Sequence, residues 1–151
     1  MMLRAVLLAA AGAASIAYLA RRPRPSHIAR ELSVDELDRE VRAWLPRLPH
    51  LGYIRLTVDG WPLLRLSGDP GRVRLQLLDP AGDRRTAFRA AATALELPLL
   101  EPDGHSLFCE LPGDADAVGR ALATVLHDVF DLGERDRLRA EVPNDPGAHA
   151  R

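Results

Sequence analysis

Lysine is missing from this chain, and all twenty of its basic residues are arginine. Cysteine is nearly missing too. The single Cys109 excludes an internal disulfide, and its place in the apolar run SLFCEL makes it a small buried hydrophobe rather than a reactive thiol. Nor is there an excess of charge of one sign. The arginines nearly cancel twenty-one acidic residues, leaving a net charge of −1, so no global field draws in nucleic acid.

Most signatures of chemistry are missing as well. The five histidines, His27, His50, His105, His127 and His149, have no metal-ligand spacing. His127-Asp128 forms the dipeptide of a metal phosphohydrolase without the further His and Asp ligands such a site needs, and reads as a solvent-facing pair. Asp114 and Asp116 suit the start of a helix better than a catalytic carboxylate pair. Ser106 lacks the Gly-x-Ser-x-Gly setting of a nucleophile elbow. SGDPG (67–71) is too short for a phosphate loop and has no Lys-Ser/Thr ending. No catalytic, cofactor-binding or metal-binding residue is therefore nominated, and no cofactor is implied.

What is present is the material of one folded domain with appendages: 151 residues, 47% of them hydrophobic. Residues 1–22 form an apolar N-terminal segment. Ala5 to Ala20 is apolar apart from Gly12 and Ser15; with Met1 to Arg4 it would span about 30 Å as a helix, one hydrocarbon core. It reads as an uncleaved signal anchor or as a signal peptide cleaved near Ser15-Ile16-Ala17. Arginine is heavier on the C-terminal flank (Arg21, Arg22, Arg24, Arg30) than before the segment (Arg4). An anchor of this kind leaves the domain in the cytoplasm, single-pass at a bacterial inner membrane; cleavage leaves it secreted. Residues 23–32 read as a linker stiffened by Pro23 and Pro25, 33–133 as the folded domain, and 134–151 as a charged, flexible tail.

Within the domain, Ser33 and Glu36 form a capping-box pattern ahead of a stripe of Leu37, Val41, Trp44, Leu45 and Leu48. Three strand-like runs follow. Ile54, Leu56 and Val58 share a face in the first, and Asp59-Gly60 suits a tight hairpin. Leu64 and Leu66 share a face in the second, with Leu63 and Arg65 opposite; Val73, Leu75 and Leu77 share one in the third. A second helix presents Phe88, Ala91, Ala92 and Leu95. LPLLEPDGHSLFCELP (97–112) reads as two short strands around a turn. Asp114 caps a last helix with the stripe Val118, Ala121, Leu122, Val125, Val129 and Leu132, and Gly133 is placed to end it. The order helix, three strands, helix, two strands, helix implies an α+β, two-layer domain with a largely antiparallel sheet and helices on one side.

This order resembles the type III secretion chaperone-like superfamily, including its YbjN-like group. The resemblance lies in WLPRLPHLGYIRL (44–56), the Asp-Gly hairpin before Trp61, and the closing ALATVLHDVFDL (121–132). It covers roughly Asp35 to Leu132. Such a resemblance implies a non-catalytic chaperone or adaptor that binds an extended protein segment, often as a homodimer. One departure is the strand SLFCEL, where the family pattern would be more aromatic.

The residues also point to a binding surface. Arg55, Arg65 and Arg74 take non-core positions on three successive strands, with Thr57 and Gln76 beside them. Clustered guanidiniums fork carboxylates and carbonyls, so the face is either a dock for an acidic or extended peptide or a solvated surface paired with its own acids. Leu63, Leu78 and Phe108 share the non-core parity. Trp44 reads as core, whereas Trp61, after the hairpin and before Pro62, reads as the best aromatic contact. The candidate partner-binding set is thus Arg55, Arg65, Arg74, Trp61 and Phe108. The competing classes are a ligand-sensing domain with a pocket between sheet and helices, and an enzyme with an unfamiliar site.

Overall fold

A computed structural model describes residues 27–48, 52–69, 72–79 and 81–143. The apolar segment 1–22, and with it the question of anchor or signal peptide, lies outside the described residues. Among those residues no helix is long and apolar enough to cross a membrane.

Among the described residues the domain is α+β, with three helices and an antiparallel sheet of seven strands. The elements are β1 (His27–Ser33), α1 (Val34–Trp44), a 3₁₀ turn (Leu45–Arg47), β2 (Tyr53–Val58), β3 (Trp61–Asp69), β4 (Arg72–Leu77), α2 (Gly82–Ala94), β5 (Leu99–Leu100), β6 (Leu107–Leu111), α3 (Ala115–Phe130) and β7 (Arg137–Pro143). The strands lie in the order β1-β7-β2-β3-β4-β6-β5.

Local signals act where they stand. The Ser33 hydroxyl accepts from Glu36 N at 3.2 Å, and the Glu36 carboxylate accepts from Ser33 N at 2.8 Å, closing the capping box that starts α1. Asp59 and Gly60 both have left-handed backbones, φ 51° and 81°, the geometry of a two-residue hairpin that follows the sheet's twist. The Asp114 carboxylate accepts from Ala117 N and caps α3. All three helical stripes enter one core with Ile54, Leu56, Leu64, Leu66, Leu75 and Leu107 of the sheet. Trp44 and Cys109 are buried in it.

Two boundaries are corrected. The supposed linker contains β1 and the supposed tail contains β7, paired with each other over seven positions from His27↔Pro143 to Ser33↔Arg137. Strand β7 is also the inner neighbour of β2, through Arg55↔Glu141 and Thr57↔Arg139. Among the described residues the sheet therefore has seven strands rather than five, and the first and last elements are strands rather than helices. Alternation in RLRAEV buries Leu138, Ala140 and Val142 against the helices, while Arg137 and Arg139 remain exposed on the other side. The residues just before β7 serve α1 as well: Glu134 and Asp136 carbonyls accept from Asp35 N and Val34 N, two of the amide groups a helix start leaves unsatisfied.

Two smaller corrections follow from local geometry. The ladder between β2 and β3 steps from Leu56↔Leu64 to Thr57↔Pro62, so Leu63 is the extra residue of a β-bulge and is buried beside Leu64 rather than set on the opposite face. The left-handed residue that ends α3 is Asp131, φ 57°, whose N–H donates to the His127 carbonyl. Gly133 lies beyond it, its N–H held by the Asp136 carboxylate at 2.6 Å.

Candidate functional site

The helices cover one face of the sheet. The other face carries Arg55, Arg65, Gln76 and Phe108, which are directly opposite one another in turn: Arg55↔Arg65, Arg65↔Gln76, Gln76↔Phe108. Continuing the row outward gives Glu141 and Ala29 at one end and Leu100 at the other. The next row runs Tyr53, Ser67, Arg74, Glu110. Three of the nominated arginines and Phe108 thus share a face. Trp61 does not join them. It pairs with Val58 at the hairpin end, 73% exposed, beside a shallow groove of about 170 Å³ lined by Val58, Leu63, Phe130 and Leu132.

Two arginines directly opposite on neighbouring strands repel, and what surrounds them offsets this. Arg55 pairs with Glu141 at 3.5 Å. Both guanidiniums stand over the Tyr53 ring, Arg65 at 4.9 Å and Arg55 at 5.5 Å from its centroid, a cation–π arrangement. His27 stacks on the same ring at 4.6 Å. Further along the same face Arg72 and Arg74 approach Glu110 at 3.8 and 3.9 Å. Arg65 has no carboxylate partner among the described residues. The Nε atoms of Arg55 and Arg65 are buried with no hydrogen-bond partner among the described residues.

Beyond Phe108 the face ends in a recess of about 390 Å³ lined by Arg74, Leu99, Leu100, Glu101, Pro102 and Phe108. Its rim is the β5–β6 loop, which is organised by one side chain. Asp103 accepts from His105 N at 2.9 Å, Ser106 N at 2.5 Å and the Ser106 hydroxyl at 2.9 Å. These donors pull its pKa from the ordinary 3.8 down to about 2. Glu101 is occupied by Arg89 at 2.6 Å, so the recess wall carries no uncompensated negative charge.

No family model, curated protein or solved structure matches this chain.

A larger open cleft, about 610 Å³, lies between α2 and the same loop, lined by Gln76, Leu77, Leu78, Asp79, Arg85, Arg89, Gly104, His105 and Ser106. Its cations are already engaged: Arg89 by Glu101, Arg85 by the His105 carbonyl at 2.6 Å, and neighbouring Arg84 by Asp79. Elsewhere, burial pushes the Cys109 thiol up to about 12, which leaves no thiolate at neutral pH. His127 is exposed and its Nδ1 lies 2.8 Å from Asp128, whose carboxylate raises the imidazole pKa. No group of three or more metal-ligating side chains occurs among the described residues.

Sequence parity located the arginines but missed what frames them. Glu141 sits in the segment read as tail and His27 in the segment read as linker, and Tyr53, on the same face as Arg55, has no role in the sequence reading. The alternation of RLRAEV was the available signal for β7; nothing in the sequence pairs His27 with Tyr53.

Proposed function

We propose that this chain is a non-catalytic protein-binding domain, a chaperone or adaptor that holds an acidic, extended segment of another protein against the open face of its sheet. The observation that carries this reading is Arg65, a cation beside a second cation, with no carboxylate partner among the described residues and an aromatic ring beneath it. A carboxylate arriving there relieves the repulsion between Arg55 and Arg65 and gains a forked, charge-assisted contact. A small-ligand sensor would instead use the cleft beside α2, where the guanidiniums are already bonded within the chain. Two copies meeting through this face would set arginine against arginine, so the occupant is a different chain; a homodimer is compatible through an edge strand such as β1. The reading agrees with the likeness to the type III secretion chaperone-like superfamily. The apolar segment 1–22 is then a tether holding the domain on the cytoplasmic side of a bacterial inner membrane, the alternative being secretion after cleavage.

The test is fluorescence anisotropy of a labelled glutamate-rich peptide against the full chain. Binding weakens as salt rises, because charge pairs on an open face are screened. It is lost in Arg65→Glu and kept in Arg120→Glu, which makes the same charge change on an exposed position of α3. Equal binding by all three proteins, or by an arginine-rich control peptide, ends the proposal.

A further inference from the structure

Among the described residues the sheet ends in two edges, β1 and β5, and they are made differently. Strand β5 is two residues long and flanked by Pro98 and Pro102, a short, proline-bounded form that keeps an edge from pairing. Strand β1 has seven residues, HIARELS, with no proline and no bulge in its ladder with β7. We infer that β1 pairs antiparallel with β1 of a second copy about a two-fold axis at Ala29, joining two sheets into one.

The backbone selects the place. Antiparallel residues alternate between pairs that exchange hydrogen bonds and pairs whose amides point away. Val34 N donates to the Asp136 carbonyl at 3.1 Å, and carrying that alternation back along the register turns the N–H and C=O groups of Leu32, Arg30 and Ile28 toward β7. Those of His27, Ala29, Glu31 and Ser33 then point outward, where β1 has no neighbour. Ser33 N is already given to the Glu36 carboxylate at 2.8 Å in the cap of α1. The Glu31 carbonyl accepts from Arg137 Nη2 at 3.1 Å and keeps a second lone pair. His27, Ala29 and Glu31 are thus the residues free to form a ladder.

Charge and capping select the register. A two-fold axis through an antiparallel pair sets one residue opposite its own copy. Centring on Arg30 or Glu31 puts like charges directly opposite, and each of these registers also calls on Ser33 N, which the cap has taken. Centring on Ile28 opposes Glu31 to Pro25, which has no N–H. Centring on Ala29 uses only the three free residues: Ala29 meets the partner's Ala29, and His27 meets the partner's Glu31. Arg30, held by Glu40 at 3.1 Å, then lies opposite the partner's Ile28. Ile28 is 39% exposed in a single copy, and an arginine stem covers apolar surface. Ala29 also belongs to the row Ala29, Glu141, Arg55, Arg65. The axis keeps both open faces on one side, so that row runs on into the same row of the partner. The pairing goes beyond the acidic-segment reading and does not rest on it; together they give one continuous sheet with two Arg65 sites.

The experiment is disulfide trapping in the full chain, purified in mild detergent, with Ala29→Cys, Arg30→Cys and Glu31→Cys oxidised separately. Cys109 is buried with its thiol pushed up to about 12 and does not compete. Residues of a hydrogen-bonded antiparallel pair have Cα atoms about 5.5 Å apart, within disulfide reach. In the Ala29 register, position 31 is offset from its own copy by four residues, about 14 Å along the strand, and position 30 by two, about 7 Å. Ala29→Cys therefore runs as a covalent pair, whereas Arg30→Cys and Glu31→Cys stay single. Ala29→Pro removes only an outward N–H; it keeps the circular dichroism of the unaltered chain and sediments as one copy where the unaltered chain sediments as two. Trapping at position 30 or 31 instead, trapping at all three alike, or no trapping in a chain that sediments as one copy overturns the pairing. None of these results bears on the acidic-segment reading, which falls only if Arg65→Glu binds the glutamate-rich peptide as well as the unaltered chain does.

Discussion

The two faces of the sheet are made by the same strands and differ in every physical respect. On the helix side Ile54, Leu56, Leu64, Leu66 and Leu75 are at most 1% exposed and interlock with three helical stripes. On the other side the residues between them are arginines, a tyrosine and a glutamine, all half-buried, with charge pairs between 3.5 and 3.9 Å. An antiparallel sheet can leave one face to water, and a face left to water needs only polarity. This one has more than polarity: it places like charges in register and floors them with an aromatic ring. Stability belongs to the first face, and the proposed recognition would belong to the second.

Mutation sharpens that division most on the covered face. Leu75→Ala removes a fully buried side chain from the middle of β4 and is expected to cost about 2–5 kcal/mol in urea unfolding. Arg65→Ala, on the adjacent strand but the other face, is expected to stay within about 0.5 kcal/mol, because it removes a like-charge neighbour along with the side chain's packing. Comparable losses in both variants would mean the open face is part of the fold's support rather than a free surface.

The outermost strands offer the next test. Leu138→Ala in β7 should destabilise by about 2–4 kcal/mol, since Leu138 is 1% exposed within the core. A mobile tail at this position would show no change. A null result would therefore remove β7, and with it Glu141, from beside Arg55.

The smallest effect lies at the rim of the recess. Asp103 has a depressed pKa in the folded chain, so the hydrogen bonds it accepts are fully present above pH of about 4 and are lost as pH falls through about 2. Its carboxyl carbon followed by NMR should titrate with a midpoint near the lower value, moving the His105 and Ser106 amide signals with it. A midpoint at 3.8 would leave the loop without its organising contact.

What was legible in the sequence is what local chemistry dictates. Ser33 and Glu36 are three residues apart, Asp59 and Gly60 are adjacent, and the stripe of α3 repeats within one helix, so each could be read without knowing the rest of the chain. The arginines of the candidate site were legible for the same reason, because strict alternation assigns a face before any partner is known. Leu63 shows the limit of parity: one extra residue in β3 turned it into the core, and nothing in TVDGWPLLRLS announces where the bulge falls. Strands β1 and β7 show the limit of proximity. Their partners are more than a hundred residues apart, and His27 and Glu31, or Arg137 and Arg139, read as solvated charge until the two runs lie side by side.

By itself, then, the sequence determined three amphipathic helices, a central antiparallel meander with its hairpin, and an arginine on the uncovered side of each meander strand. Those follow from periodicity and capping, which act over a few residues. Only the tertiary structure decided that β1 and β7 join the sheet, that Glu141 answers Arg55 while Arg65 has no carboxylate partner among the described residues, and that Phe108 lies in the same row beside a recess. These depend on register between distant strands, which is set by burying one whole face at once and is written in no single stretch of the chain.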